Sequence, residues 1–75
     1  MRTFMGEILR EERVAQGKSL RDISHGGLSI GFISEIERGR KEPSSETLET
    51  LCSILGLDVV ETLRRTADRI ESART

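Results

Sequence analysis

In 75 residues there is one cysteine, one histidine, one proline, and neither tryptophan nor tyrosine. A lone cysteine, Cys52, excludes an intrachain disulfide and leaves no thiolate metal cluster. A lone histidine, His25, excludes His-rich metal sites and a two-histidine zinc finger. No window approaches the roughly 18 apolar residues of a membrane span. No charged-then-apolar signal peptide opens the chain. The length suits one domain, and a chain this short buries only about 60–65% of the surface it exposes unfolded, so its core is thin. What is present is charge: 33% of residues are charged, 35% hydrophobic and 3% aromatic. The expectation is a soluble, intracellular, helical domain. The formal net charge is −1 and the pI about 5.8. Taken alone, that balance argues against nucleic acid, whose binding domains are often strongly basic.

The punctuation predicts five helices. Thr3 caps a first helix from Phe4 to Gln16, with Met5, Ile8 and Leu9 on one face, and Gly17 stops it. Ser19 is an N-cap with Asp22 three residues on, a box-like pair. It opens a short second helix, Leu20 to His25, with Leu20, Ile23 and Ser24 inward. Gly26-Gly27 breaks that helix. Ser29 caps a third, Ile30 to Arg38, whose apolar positions are Ile33 and Ile36; Gly39 ends it. Gly39 to Pro43 is a basic loop. Ser44 caps a fourth helix, Ser45 to Leu55, with Leu48, Leu51, Cys52 and Leu55 at i, i+3, i+4, i+7. Gly56 stops it. Asp58 caps a fifth, with Glu61 at the capping-box position. No segment alternates as a strand does, and no repeat or low-complexity tract is present. An all-α bundle follows.

The two shortest helices are adjacent and joined by a glycine turn, a helix-turn-helix pattern. The detail is more specific. The runs Arg13-Val14-Ala15-Gln16-Gly17, Ser19-Leu20-Arg21-Asp22-Ile23-Ser24 and Ser29-Ile30-Gly31-Phe32-Ile33-Ser34-Glu35-Ile36-Glu37-Arg38-Gly39, followed by Pro43-Ser44 and Leu48 to Leu57, resemble the Xre/Cro-cI family of transcriptional regulators. The resemblance covers roughly residues 4–63. Within the family, the chain looks most like the actinobacterial Clp gene regulators. The resemblance implies an all-α, five-helix, lambda-repressor-like DNA-binding domain with its helix-turn-helix at the second and third helices. The expected organisation is a single helix-turn-helix domain over residues 1–75, with a core module at 4–57 and a C-terminal helix at 58–75 as a candidate dimerisation element. One departure is visible: the family has one more residue between the second and third helices than this chain has at His25-Gly26-Gly27-Leu28. Two glycines reach positive φ without steric cost, so a tighter turn is feasible.

An exposed third helix of this length fits the major groove, about 12 Å wide. Its base-facing candidates are Ser29, Ile30, Gly31, Ser34 and Glu35. The serines can bond bases or phosphates, and Ile30 could only meet a thymine methyl. Glu35 can accept from a cytosine amino group; otherwise it is a solvated charge or pairs with a nearby arginine. Gly31 allows close backbone approach, or makes no contact. Phe32 either touches DNA or packs on the second helix or a partner. The phosphate candidates are Ser19, Arg21, Arg38, Arg40 and Lys41, placed at a helix start or in the basic loop. For Arg13 and Glu37 the resemblance implies a partly buried ion pair tying the first helix to the third, a structural role.

Val60, Leu63, Ala67 and Ile70 repeat at 3-4-3 spacing in the fifth helix, a two-heptad stripe. It either packs on its own domain, at least through Leu63, or forms a homodimer interface. A dimer would place two reading helices about 34 Å apart on a palindromic site. An enzyme is not expected. His25 has no acid or nucleophile at a defined spacing, and Cys52 reads as a buried small hydrophobe. No phosphate-cradling glycine loop is present. No metal, cofactor, small-molecule ligand or membrane contact is expected; the expected partners are double-stranded DNA and a second copy, in the cytoplasm. The rival is a protein–protein adaptor on the same fold, with Ile30 and Phe32 as an apolar docking patch. The net charge is also uneven: +1 over residues 1–28, 0 over 29–45 and −2 over 46–75. The acidity gathers in the last two helices, away from the proposed DNA face.

Overall fold

The structure, a computed structural model, describes residues 4–74. Among them are four α-helices and one three-residue 3₁₀ turn. The helices are α1 (Met5–Ala15), α2 (Ile30–Glu37), α3 (Ser45–Leu55) and α4 (Val59–Ala73); the 3₁₀ turn, Arg21–Ile23, lies between α1 and α2. The expected cap at Thr3 lies outside the described residues. The other caps are visible. Ser29, Ser44 and Asp58 each accept the backbone N–H three residues on, satisfying an orphan donor of the first turn. The ends of α1, α2 and α3 share another device. The N–H groups of Lys18, Arg40 and Leu57 reach back five residues to Arg13, Glu35 and Cys52, a Schellman closure.

The expected second α-helix is instead the 3₁₀ turn. Ser19 and Asp22 do form the reciprocal box, with the Ser19 N–H donating at 2.7 Å and the Ser19 Oγ accepting at 3.1 Å. Asp22, Ile23 and Ser24 then donate to residues three back. The glycine pair cuts the segment off before a run of i→i−4 bonds forms, and the shorter-range bonds prevail.

The core joins Leu9 of α1, Ile23 of the turn, Ile33 and Ile36 of α2, and Leu48, Leu51, Cys52 and Leu55 of α3. Ile8 is also fully buried. The α1–α2 crossing is tighter than side chains permit. A Cβ built on Gly6 would lie 1.9 Å from the Ile36 carbonyl oxygen, so only glycine fits there. Burial leaves Cys52 an inert thiol, its pKa pushed up by desolvation.

α4 docks differently. Its buried residues are Thr62 and Thr66. Their hydroxyls donate to the carbonyls of Asp58 and Thr62 at 2.8 and 2.9 Å, so neither is left unsatisfied. Around them Arg65 reaches Glu12 at 2.8 Å, and Arg69 reaches Glu11 at 2.8 Å and Glu7 at 3.6 Å. The bond from Arg69 lowers the pKa of Glu11. Its contribution is therefore present above the ordinary carboxylate value and is lost as pH falls through the lowered one. Of the two alternatives for the apolar stripe, packing on its own domain through Leu63 is not what this arrangement gives. Val60 and Leu63 are 73% and 44% exposed, Ala67 is exposed too, and Ile70 is half-buried. No helix among the described residues is long and apolar enough to cross a membrane.

Gly6→Ala should destabilise the protein by more than about 2 kcal/mol, seen as a lower melting temperature by circular dichroism. Gly31→Ala, whose Cβ would meet nothing within 4 Å, should instead stabilise by about 0.5–1 kcal/mol. Equal melting temperatures for the two variants would refute the close crossing.

Candidate nucleic-acid interface

The turn that launches α2 is built on two positive φ values, 61° at Gly26 and 83° at Gly27. Gly26 packs against α3, where an added Cβ would sit 3.0 Å from the Thr50 methyl. The Ser24 hydroxyl donates to the Leu28 carbonyl at 2.8 Å and closes the loop from the other side. The shortened turn is thus a fixed corner. It sets where α2 begins.

From that corner α2 buries Ile33 and Ile36 and turns its start outward. Ser29, Ile30 and Gly31 are exposed, and Ser34 is half-buried. Ser29 Oγ accepts from the Phe32 N–H at 3.1 Å, and its hydroxyl proton stays available to a ligand. Ile30 is a large apolar side chain left 41% exposed. Phe32 is half-buried and packs on the core cluster.

The far end of α2 is pinned by Arg13 and Glu37. Arg13 Nε and Nη2 donate to the two Glu37 carboxylate oxygens at 2.8 and 2.9 Å, and Nη1 donates to the Lys18 carbonyl at 2.8 Å. Both side chains are largely enclosed, 12% and 6% exposed. The pairing with Glu37 raises the pKa of Arg13, so its charge is permanent in any workable buffer. One guanidinium thus ties the end of α1, the following loop and the last residue of α2 together.

Beyond Glu37 the chain folds back. The Arg40 and Lys41 N–H groups both donate to the Glu35 carbonyl, at 2.9 and 3.3 Å. Arg40 Nε lies 3.9 Å from Glu35 Oε2, and the Lys41 ammonium sits 5.6 Å from the centre of the Phe32 ring. Arg38, Arg40 and Lys41 are exposed beside the C-terminal end of α2. Arg21 is exposed on the 3₁₀ turn and Ser19 just before it. A three-residue turn sums too few peptide dipoles to act as a helix N-terminus, so Arg21 offers its own charge alone.

A helix-turn-helix domain family matches residues 5–67. The chain belongs to that family.

As a helix-turn-helix protein it is 44% identical over 71 residues to the transcriptional regulator ClgR of Mycobacterium tuberculosis, covering 93% of this chain and 63% of that one. It is 43% identical over 58 residues to the HTH-type transcriptional regulator DdrOP3 of Deinococcus deserti, covering 76% and 45%. The chain therefore spans less than two thirds of the length of these curated relatives. Two crystal structures of the clp gene regulator ClgR from Corynebacterium glutamicum match with TM-scores of 0.81 and 0.84, at 40% and 38% identity. The matches cover 91% and 97% of this chain, and 90% and 81% of those chains. The relatives are named as regulators, not as enzymes. Among the described residues no cluster of His, Cys, Asp or Glu could hold a metal ion.

The helix-turn-helix places its candidate residues in three groups. Ser29, Ile30, Gly31 and Ser34 share the start and middle of α2. Arg38, Arg40 and Lys41 follow its end, with Arg21 on the preceding turn. Val60, Leu63, Ala67 and Ile70 lie apart, on α4. The sequence reading missed two things that matter here. One is the backbone fold-back that brings the Arg40 and Lys41 N–H groups onto the Glu35 carbonyl and Lys41 over Phe32, for which Gly39 as a helix stop was the available signal. The other is Gly6, for which α1 itself offers no signal.

Arg13→Ala and Glu37→Ala should each cost about 3–5 kcal/mol of folding stability, because a buried charge loses its partner. Thermal melts should show the double replacement costing less than the sum of the singles. Strict additivity would mean that the pair is not coupled.

Proposed function

We propose that this chain is a sequence-specific double-stranded DNA-binding transcriptional regulator that acts as a homodimer on a palindromic operator. The observation that carries the DNA reading is α2 itself. Its start is outward, small and held by a fixed corner, and exposed cations flank its end. In this reading Ser29, Ile30, Gly31 and Ser34 face base edges in the major groove. Ser19, Arg21, Arg38, Arg40 and Lys41 contact phosphates. Arg13 and Glu37 hold α2 at the angle that lets both sets engage. The homology supports the same reading, since the matched relatives are named transcriptional regulators. The protein works in the cytoplasm, on the nucleoid when bound, with no metal, cofactor or small-molecule ligand.

The homodimer rests on α4. An apolar stripe with Val60, Leu63 and Ala67 in water is unusual on a chain this charged, and a second copy would cover it. Dimerisation also compensates for the net charge. Few phosphates are neutralised per subunit, and the acidic α3 surface is repelled by DNA, so non-specific affinity is weak.

Replacing Arg21, Arg40 and Lys41 together by alanine should weaken duplex binding at 100 mM salt by at least tenfold and flatten the salt slope by about 2–3. Fluorescence anisotropy on a selected site and on a random duplex measures both. Unchanged affinity would favour the adaptor reading, in which α2 docks on protein.

Leu63→Asp should leave the melting curve nearly unchanged but shift the protein from dimer to monomer in sedimentation at micromolar concentration. Operator affinity should fall by more than tenfold. A wild-type chain that sediments as a monomer, at concentrations that saturate the operator, would refute the dimer.

A further inference from the structure

Glu35 is the one acidic side chain of α2 that neither closes the core nor pairs with Arg13. Its backbone carbonyl collects the N–H groups of Arg40 and Lys41, so the basic loop is folded around it. Its carboxylate Oε2 is closed off from water and makes no hydrogen bond. The nearest cation is Arg40 Nε at 3.9 Å. That oxygen has no accessible surface to offer a cytosine amino group, and what the side chain exposes, 36% of it, lies on the Oε1 side. The Arg40 side chain, by contrast, is 68% exposed, so it faces Glu35 on one side and solvent on the other. Lys41, also exposed, lies over the Phe32 ring.

We infer that Glu35 is a specificity-setting counter-charge and not a base reader: it holds Arg40 against the end of α2 and subtracts one positive charge from the loop until a phosphate takes its place. The inference rests on the DNA-binding reading above. A random duplex offers Arg40 only its phosphates, and these must compete with a carboxylate already positioned beside it. A correct site adds the contacts at the start of α2, which offset that competition. Glu35 therefore weakens sequence-independent binding more than operator binding. It is a positioning residue, acting through Arg40.

The test is a double-mutant cycle of Glu35→Gln and Arg40→Gln, read by anisotropy on the selected operator and on a random duplex at four salt concentrations. Glu35→Gln keeps the side-chain shape and removes the charge, and an unchanged melting curve is the control that the fold persists. It should tighten random-duplex binding by roughly three- to tenfold and steepen the salt slope by about 0.9, one added phosphate contact. Operator binding should tighten less, so the specificity ratio falls. With Arg40→Gln already present, Glu35→Gln should change random-duplex affinity by less than twofold. A Glu35→Gln chain that loses operator affinity, with random binding unchanged, would make Glu35 a base reader and overturn the inference. An equal effect with and without Arg40 would overturn it as well. Absence of duplex binding by the unaltered chain would sink the DNA reading and this inference together; failure of the cycle alone leaves the DNA reading standing.

Discussion

Everything that α2 presents depends on where α1 holds it. The two helices meet backbone to backbone at Gly6 and Ile36, and the Arg13–Glu37 pair ties their C-terminal ends together one residue further along α2. The first contact fixes separation, and the second fixes rotation. Neither is an apolar contact, yet both are needed before the apolar residues Leu9, Ile33 and Ile36 can share one core. A bidentate guanidinium–carboxylate pair suits this role because it tolerates little angular error. The same guanidinium bonds the Lys18 carbonyl, so the loop that leads to the 3₁₀ turn is anchored by the group that anchors α2. The corner at Gly26 and Gly27 then needs only to join two points already in place.

The elements were legible where their signals are local. Ser29, Ser44 and Asp58 act as caps because a short polar side chain before a helix can reach the N–H three residues on, whatever the rest of the chain does. Gly17, Gly39 and Gly56 mark helix ends for equally local reasons. The second helix was misread because its capping box is real, while the length available before Gly26-Gly27 is too short for α-helical bonding. For α4 the apolar stripe of Val60, Leu63, Ala67 and Ile70 was legible, but the face that docks on the domain was not: the helix turns Thr62 and Thr66 inward. Threonine is buried there at no polar cost because its own helix accepts the hydroxyl proton, and spacing rules do not register that.

At the candidate site the residue types were readable and their mutual placement was not. Ser29, Ile30 and Gly31 at the start of a short exposed helix follow from pattern alone. That Arg40 turns toward Glu35, and Lys41 toward Phe32, follows from the Schellman closure after α2, which brings residues five and more apart into contact. Gly6 belongs to the same class. Its meaning is a property of two helices at once, and nothing within α1 declares it.

The threonine-lined underside of α4 carries one more consequence. Because the helix docks through hydroxyls, arginine–glutamate bridges and Val59, its exposed aliphatic residues Val60 and Leu63 are not required to complete the fold. A subunit can therefore be folded and alone. On the dimeric reading, the active species grows with the square of the free subunit level at low abundance. Promoter occupancy would then rise sigmoidally over a narrow range of synthesis or turnover. A small change in how fast the chain is made or destroyed would act as a threshold, with no effector molecule needed to set it.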